Sequence, residues 1–336
     1  MEDSNRSSNP SIHDVSSPAR RTLLLGGAAA ALSSLLAPLA GCAGPGGMAS
    51  GPKLGFKGIP VNETDALVVP EGYVATAIAA WGEPVGVPGN MPAFRFDGSN
   101  SAADQAVQMG MHHDGVEYFA LNGSSTRGVI AINHEYTDDG LLHVGGFANL
   151  TAEKVKKSQN AHGLAVYEVE RKGDGWEMVR PSRYARRFTM DTPFAVGGPA
   201  AGHAMMRTVA DPAGRLVLGT LNNCASSQTP WGTYLSGEEN WMVYFGGGDA
   251  LSAHHRRWGM RKDAFYGWEK FDPRFNAVQN PNEPNRFGWV DEVDPMDPTS
   301  TPVKRTALGR AAHERGLGRC DQRRAGGGLF RRRRAF

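Results

Sequence analysis

The chain is short of cysteine, of net charge and of familiar catalytic motifs. Its three cysteines are Cys42, Cys224 and Cys320, and only Cys224 lies in the body of the chain, where it has no disulfide partner. The formal net charge of +2 gives no reason to expect a nucleic-acid partner. There is no Walker loop, dinucleotide-binding glycine motif, nucleophile elbow or zinc-protease helix motif, which removes several common enzyme classes.

Helical patterns are also scarce, and turn residues are abundant, with 43 Gly and 21 Pro in 336 residues. Only Thr151–Asn160 has a clear helical pattern, with Thr151 as its N-cap. Short apolar runs bounded by turn residues predict strands at Gly72–Ala79, Val116–Leu121, Arg127–Asn133, Gly163–Val169, Arg215–Leu221, Gly232–Leu235, Trp241–Phe245 and Phe287–Val293. These runs predict an all-β fold, and because no fixed-period repeat is present, they leave sandwich, barrel and propeller open.

The N-terminus has the pattern of an export signal. Arg20 and Arg21 precede a weakly apolar stretch, Thr22–Ala40, and the pair resembles a twin-arginine signal. A membrane anchor is the alternative, because this stretch is close to the roughly 20 residues that span a bilayer. Cys42 ends the sequence Leu-Ala-Gly-Cys, which resembles a lipoprotein cleavage box, and whether it carries a lipid stays open.

Cys224 is the first candidate for a chemical role. A lone thiol in an exported protein is either buried and inert or held as a metal ligand or nucleophile. Cys224 lies in the polar, turn-forming segment 222–232, which follows a predicted strand, whereas an inert core cysteine usually lies inside a strand. The sequence therefore favours a functional thiol.

Acidic residues supply further candidate ligands where predicted strands meet loops. Glu238 and Glu239 are adjacent, Asn133 and Glu135 end a strand, and Glu292 lies in Asp291–Asp294. Adjacent carboxylates suit a hard cation such as calcium, and a thiolate beside them suits a softer transition metal. The alternative is a set of solvated strand ends.

Two spacing arguments limit this interpretation. If Arg215–Leu221 pairs with Gly232–Leu235 as a hairpin, Cys224 lies near its tip and Glu238 towards its far end, so simple geometry keeps them apart. His112–Asp114 resembles a ligand cluster, but successive side chains of a strand point to opposite faces, so we do not expect a site there.

Taken together, several segments resemble the PhoX family of alkaline phosphatases. The matching segments are 108–115, 127–136, 219–225, 229–233, 237–240, 287–295 and 304–310, in order along the chain. The resemblance implies a β-propeller with short helical insertions and a central calcium–iron cluster that hydrolyses small phosphate monoesters. It implies that Cys224 is an iron ligand and that Glu238 and Glu239 hold the cluster, with Glu292, Glu135 and Asn133 as further candidates.

The resemblance also implies export by the twin-arginine translocase. The exported protein would lie in the periplasm, outside the cell, or on a membrane through a lipid anchor. It would be a monomer when intact. The predicted organisation is a signal at 1–42, a linker at 43–64, a PhoX-like region at 65–314 and a tail at 315–336. A calcium-dependent propeller hydrolase of another substrate class, or a non-catalytic metal-binding surface protein, remains the alternative.

The last 26 residues differ in composition from the rest of the chain. From Ala311 to Phe336 there are eight Arg, five Gly and four Ala, as expected of GC-rich DNA translated out of frame. We therefore expect a frameshift near residue 314, an incomplete N-terminal portion of the propeller and an inactive product. A genuine basic tail that binds phosphates or anionic lipid is the alternative.

Overall fold

The computed structural model describes residues 55–314, which fall into two units divided after Ala75. Residues 55–75 of the first unit form turns, and Phe56 packs edge-on against Tyr73 at 5.5 Å between ring centroids. Among residues 55–314, no helix combines the length and apolarity needed to cross a bilayer. The predictions for Arg20, Arg21, Cys42 and the tail from residue 315 fall outside the described residues.

The second unit begins with an antiparallel five-stranded sheet. Its strands are β1 (His113–Ala120), β2 (Arg127–His134), β3 (Gly163–Lys172), β4 (Gly175–Met178) and β5 (Arg186–Phe188). They pair in the order β1-β2-β3-β4, and β5 also pairs with β3. The first seven residues of β3 are all buried, because both faces of this central strand are covered.

A second, six-stranded sheet follows. Its strands are β6 (Pro193–Gly197), β7 (Leu216–Leu218), β8 (Asn223–Gln228), β9 (Tyr234–Glu238), β10 (Val290–Val293) and β11 (Val303–Arg305). The order is β7-β6-β11-β10-β9-β8, and β11 pairs with β6 in parallel while the other pairs are antiparallel. This order places β8 at one edge, where it meets β1 of the first sheet.

The two sheets share one apolar core. Val129 and Leu164 of the first sheet pack with Phe194, Tyr234 and Val293 of the second. The opposite face of β3 contributes to a separate cluster, as the alternation of side chains along a strand requires.

Within residues 55–314, helices are few and short. They are α1 (Ala102–Gln105), α2 (Asp139–Leu142), α3 (Ala152–Ala161) and α4 (Ala253–Arg257). The structure confirms the predicted helix as α3, where the Thr151 hydroxyl accepts a hydrogen bond from the Lys154 amide at 3.2 Å. Single turns of 3₁₀ helix lie at Leu121–Gly123, Ala204–Met206, Trp241–Tyr244, Gly248–Ala250, Trp268–Lys270, Pro273–Phe275, Glu283–Arg286 and Thr306–Leu308.

Four of the predicted strands were wrong or too long, and one of these, Phe287–Val293, shortens to Val290–Val293. Gly72–Ala79 contains no strand, and Arg215–Leu221 shortens to Leu216–Leu218. Trp241–Phe245 forms a 3₁₀ turn, because Trp241, Tyr244 and Phe245 recur at helical spacing and are all fully buried in an aromatic core. The described residues are rich in sheet, and the propeller stays a prediction.

Candidate metal centre

The hairpin that carries Cys224 differs from the predicted one. Strand β8 pairs with β9 so that Asn223 lies opposite Glu238, and the turn between them is 229–233. Cys224 and Glu239 therefore lie at the same open end of this hairpin. The predicted hairpin partner, Arg215–Leu221, was wrong because the segment after residue 222 is itself a strand.

A β-bulge determines where the Cys224 side chain points. The register of β8 shifts between Asn223 and Ser226, and Cys224 lies within that shift. The Asn133 amide donates hydrogen bonds to the carbonyls of Cys224, at 2.7 Å, and Ala225, at 3.2 Å. The bulge is thus tied to strand β2 of the other sheet.

The side-chain oxygen of Asn133 is occupied by hydrogen bonds within the protein and is not available to a metal. Its Oδ1 accepts hydrogen bonds from the hydroxyls of Tyr234, at 2.8 Å, and Ser236, at 2.9 Å, and the residue is fully buried. The structure therefore gives this predicted ligand a different role, that of holding the bulge.

A second bulge, in β1, places an acid opposite Cys224. The register of β1 shifts between His113 and Val116, which includes Asp114 and Gly115. A Cβ on Gly115 would lie 2.5 Å from Ser226 Cβ, so this close approach of the sheets requires glycine. The alternation rule that excluded Asp114 at the sequence level fails here, because a bulge re-aims its side chains.

Three potential ligand atoms converge at this junction. Donor atoms of Asp114, Glu135 and Cys224 all lie within 4.8 Å of one another. Asp114 is exposed, whereas Glu135, just after β2, and Cys224 are half-buried. The Cys224 Sγ also lies 3.4 Å from the backbone carbonyl oxygen of Glu314. One thiol and two carboxylates with an open side are a plausible donor set for a metal ion.

The electrostatics of this group favour a bound cation. Burial, followed by the charges of Asp114 and Glu239, raises the pKa of Glu135 to about 7. Burial, followed by a hydrogen bond with Asp114, raises the pKa of the Cys224 thiol well above its ordinary value. Glu239 is buried and forms a side-chain hydrogen bond with Glu135. A cation would relieve this crowding of acids and stabilise the thiolate, so the residues fit a metal.

Glu238 is directed away from this group. Its carboxylate accepts from Lys304 Nζ at 2.7 Å and from the backbone amides of Leu221, Gly288 and Trp289 at 2.8–3.1 Å. The residue is fully buried, and its oxygens are occupied by protein donors. Glu239, the next residue, lies just beyond β9, and its side chain contacts Glu135 instead.

Glu292 lies near the other end of the hairpin. It accepts from Arg305 Nε at 2.5 Å, from Trp231 Nε1 at 2.7 Å and from the Thr233 hydroxyl at 2.5 Å. Although burial acts to raise its pKa, these three hydrogen bonds hold the pKa below the ordinary value. The structure thus brings Cys224, Glu135 and Glu239 together, but not Glu238 or Glu292.

Two bulged strands from different sheets bring a thiol and carboxylates together, and this group of side chains is the candidate metal centre. The family model for alkaline phosphatase PhoX matches residues 54–325, which is most of the chain. The chain belongs to the PhoX alkaline phosphatase family.

A solved structure, Pseudomonas fluorescens PhoX in complex with vanadate, a transition state analogue, is similar at 45% identity with a TM-score of 0.75. The match covers 78% of this chain and 46% of that one, so the chain spans just under half the length of that relative. No curated protein matches the chain.

Proposed function

We propose that this chain carries the N-terminal part of a phosphate-monoester hydrolase whose metal centre is held by Cys224, Glu135, Asp114 and Glu239. The observation that carries the proposal is the convergence of Asp114, Glu135 and Cys224 within 4.8 Å in a member of this family. The vanadate complex of the Pseudomonas fluorescens protein supports phosphoryl chemistry, because vanadate is described there as a transition state analogue.

The donor set suits the two proposed cofactors, iron and calcium. Cys224 would hold iron through its thiolate, and the carboxylates would hold calcium, which prefers oxygen ligands. When bound, these cations would neutralise charge on the phosphoryl oxygens and generate an oxygen nucleophile, so no serine nucleophile is needed. Asp114 is the exposed member of the group, so we expect a phosphate ester to reach the centre past this residue.

The protein's own residues supply the rigidity of this site. Asn133 fixes the backbone of the Cys224 bulge, and Gly115 lets the two sheets approach closely at the same point. Preorganised ligands of this kind cost little reorganisation when a transition state forms. Family membership also supports the propeller, export by the twin-arginine translocase and a monomer when intact, all of which belong to this proposal.

The proposal is tested by metal content and turnover together. We expect wild-type protein purified with its metals to contain iron, Cys224→Ala to lose most of it, and the matched control Cys320→Ala to retain it. Elemental analysis measures the iron content of the three proteins. Unchanged iron content in Cys224→Ala would contradict the assignment.

Hydrolysis of a generic phosphate monoester, with calcium and iron added, tests the reaction itself. Iron bound through Cys224 in a full-length family member that shows no turnover would instead support the metal-binding surface protein. For the present chain we expect little turnover, and robust activity would contradict the expectation that it is an inactive portion.

A further inference from the structure

Asn222 has a backbone conformation that ordinary residues avoid. Its φ is 48°, in the left-handed region, and it lies between β7 and β8, two residues before Cys224. Asparagine is among the few non-glycine residues that tolerate this conformation. Its left-handed backbone leads the chain directly into β8 and the bulge that carries the thiol.

The same residue holds the segment that carries Glu239. The Asn222 carbonyl accepts a hydrogen bond from the Glu239 amide at 2.9 Å. Its side-chain Oδ1 accepts from the Asn240 amide at 2.8 Å. The two hydrogen bonds that Asn222 accepts therefore fix the chain as it leaves β9.

The side-chain amide nitrogen of Asn222 points towards the third segment. Nδ2 donates to the Tyr244 hydroxyl at 3.2 Å and lies 3.4 Å from the Glu135 carbonyl oxygen. Asn222 is buried, so no water competes freely for these contacts. One residue thus contacts the segments that carry Cys224, Glu239 and Glu135.

A buried chain of hydrogen bonds holds the Asn222 amide in place. His162 Nδ1 must donate to the Ser158 carbonyl at 2.7 Å, so its Nε2 accepts from the Tyr244 hydroxyl at 3.0 Å. Burial lowers the pKa of His162 to about 4, which keeps the ring neutral as this arrangement requires. The Tyr244 ring stacks on Tyr266 with centroids 5.1 Å apart, so the anchor is rigid.

We propose that Asn222 is a positioning residue that sets the spacing of Cys224, Glu135 and Glu239 and thereby the metal affinity of the centre. This inference rests on the proposed function, because it presupposes that a metal binds there. Hydrogen bonds within the protein use both side-chain heteroatoms of Asn222, so its role is exerted through the ligands. Residues that orient metal ligands typically change affinity about 10- to 100-fold when replaced.

The test compares the same substitution at two left-handed asparagines. Asn222→Gly keeps the backbone conformation and removes the amide, and Asn122→Gly does the same at an exposed position whose φ is 51°. Metal-free protein is titrated with Co²⁺, and the thiolate-to-cobalt charge-transfer absorption is followed, with Cys224→Ser to assign the band. We expect Asn222→Gly to weaken Co²⁺ binding about 10- to 100-fold and Asn122→Gly to leave it unchanged.

A second variant covers the case in which Asn222→Gly does not fold. Tyr244→Phe keeps the ring and removes the hydroxyl that holds the Asn222 amide, and we expect a loss of about twofold to tenfold in Co²⁺ affinity. A merely structural role would lower the unfolding midpoint of the metal-free protein and leave the affinity and the band unchanged.

If Asn222→Gly binds Co²⁺ as tightly as wild type, the inference about Asn222 is overturned and the metal centre is not. If Asn222→Gly does not fold, the same result in Tyr244→Phe overturns the inference. Absence of a Cys224-dependent band in wild-type protein would overturn the metal centre and this inference with it.

Discussion

Replacing Lys304 by methionine should destabilise the fold through charge rather than through packing. Lys304 is fully buried, and its Nζ lies 2.7 Å from Glu238 and 3.4 Å from Asp291. It also lies over the rings of Phe194 and Phe287, at 5.2 and 4.9 Å from their centroids. Methionine has a similar unbranched stem, so the packing is largely kept while the charge is lost.

The expected cost follows from the acids that would be left behind. Removing one partner of a buried ion pair costs about 3–5 kcal/mol, because an uncompensated charge remains in the interior. Burial raises the pKa of Asp291 to about 7 despite the nearby Lys304, so near neutral pH this acid is partly protonated and Glu238 carries the principal ion pair. We therefore expect about 3 kcal/mol, a large share of the roughly 5–15 kcal/mol that stabilises a typical domain.

Urea unfolding of the metal-free protein measures this cost. The matched control is Lys262→Met, which removes an exposed ion pair with Asp249 of 2.9 Å and should cost at most about 1 kcal/mol. A Lys304→Met protein within about 1 kcal/mol of wild type would refute the reasoning.

Three other perturbations have equally definite outcomes. The folded pKa of Asp291, about 7, lies above its unfolded value, so its contribution to stability is full below about pH 4 and falls as the pH rises to 7. Asp291→Asn should flatten that decline. If the assignment is wrong, free energies of unfolding measured at several pH values will depend on pH in the variant as they do in wild type. Gly115→Ala should destabilise the fold and lower metal content, because its Cβ would lie 2.5 Å from a side chain of the other sheet. Gly175→Ala, whose Cβ would meet only an ordinary contact at 3.9 Å, is the control, and equal effects in the two variants would contradict the close approach. Calcium should raise the free energy of unfolding by about 2.7 kcal/mol at 100 times its dissociation constant, a shift that a chelator reverses and that would be absent if the acids bind no cation.

The sequence indicated candidate ligands more readily than their arrangement in space. Cys224 and Glu239 could be proposed because an unpaired thiol and acids at strand ends are unusual in composition alone. Their proximity could not be predicted, because it depends on β8 beginning at Asn223. That strand is polar and lacks the apolar pattern by which strands are recognised.

The structure places two of the candidate acids differently from the sequence expectation, for different physical reasons. Asp114 was excluded by strict alternation, and only the glycine that follows it, Gly115, signals that a bulge interrupts the strand. Glu238 and Glu239 were treated as a pair, although Glu238, the last residue of β9, binds Lys304, whereas Glu239, just beyond the strand, contacts Glu135 at the candidate metal centre. The buried Lys304 that donates to Glu238 is distant in sequence, so no local pattern reveals this partner.

Iron-edge X-ray absorption tests the central claim most directly, because it reports the atoms bound to the metal. The experiment uses iron-loaded protein in which Cys42 and Cys320 are replaced by Ala, so that Cys224 is the one remaining thiol. We predict a sulfur neighbour of iron that disappears in Cys224→Ser and persists in Lys262→Met. Folded, iron-loaded protein whose iron is bound only by oxygen and nitrogen would contradict the account.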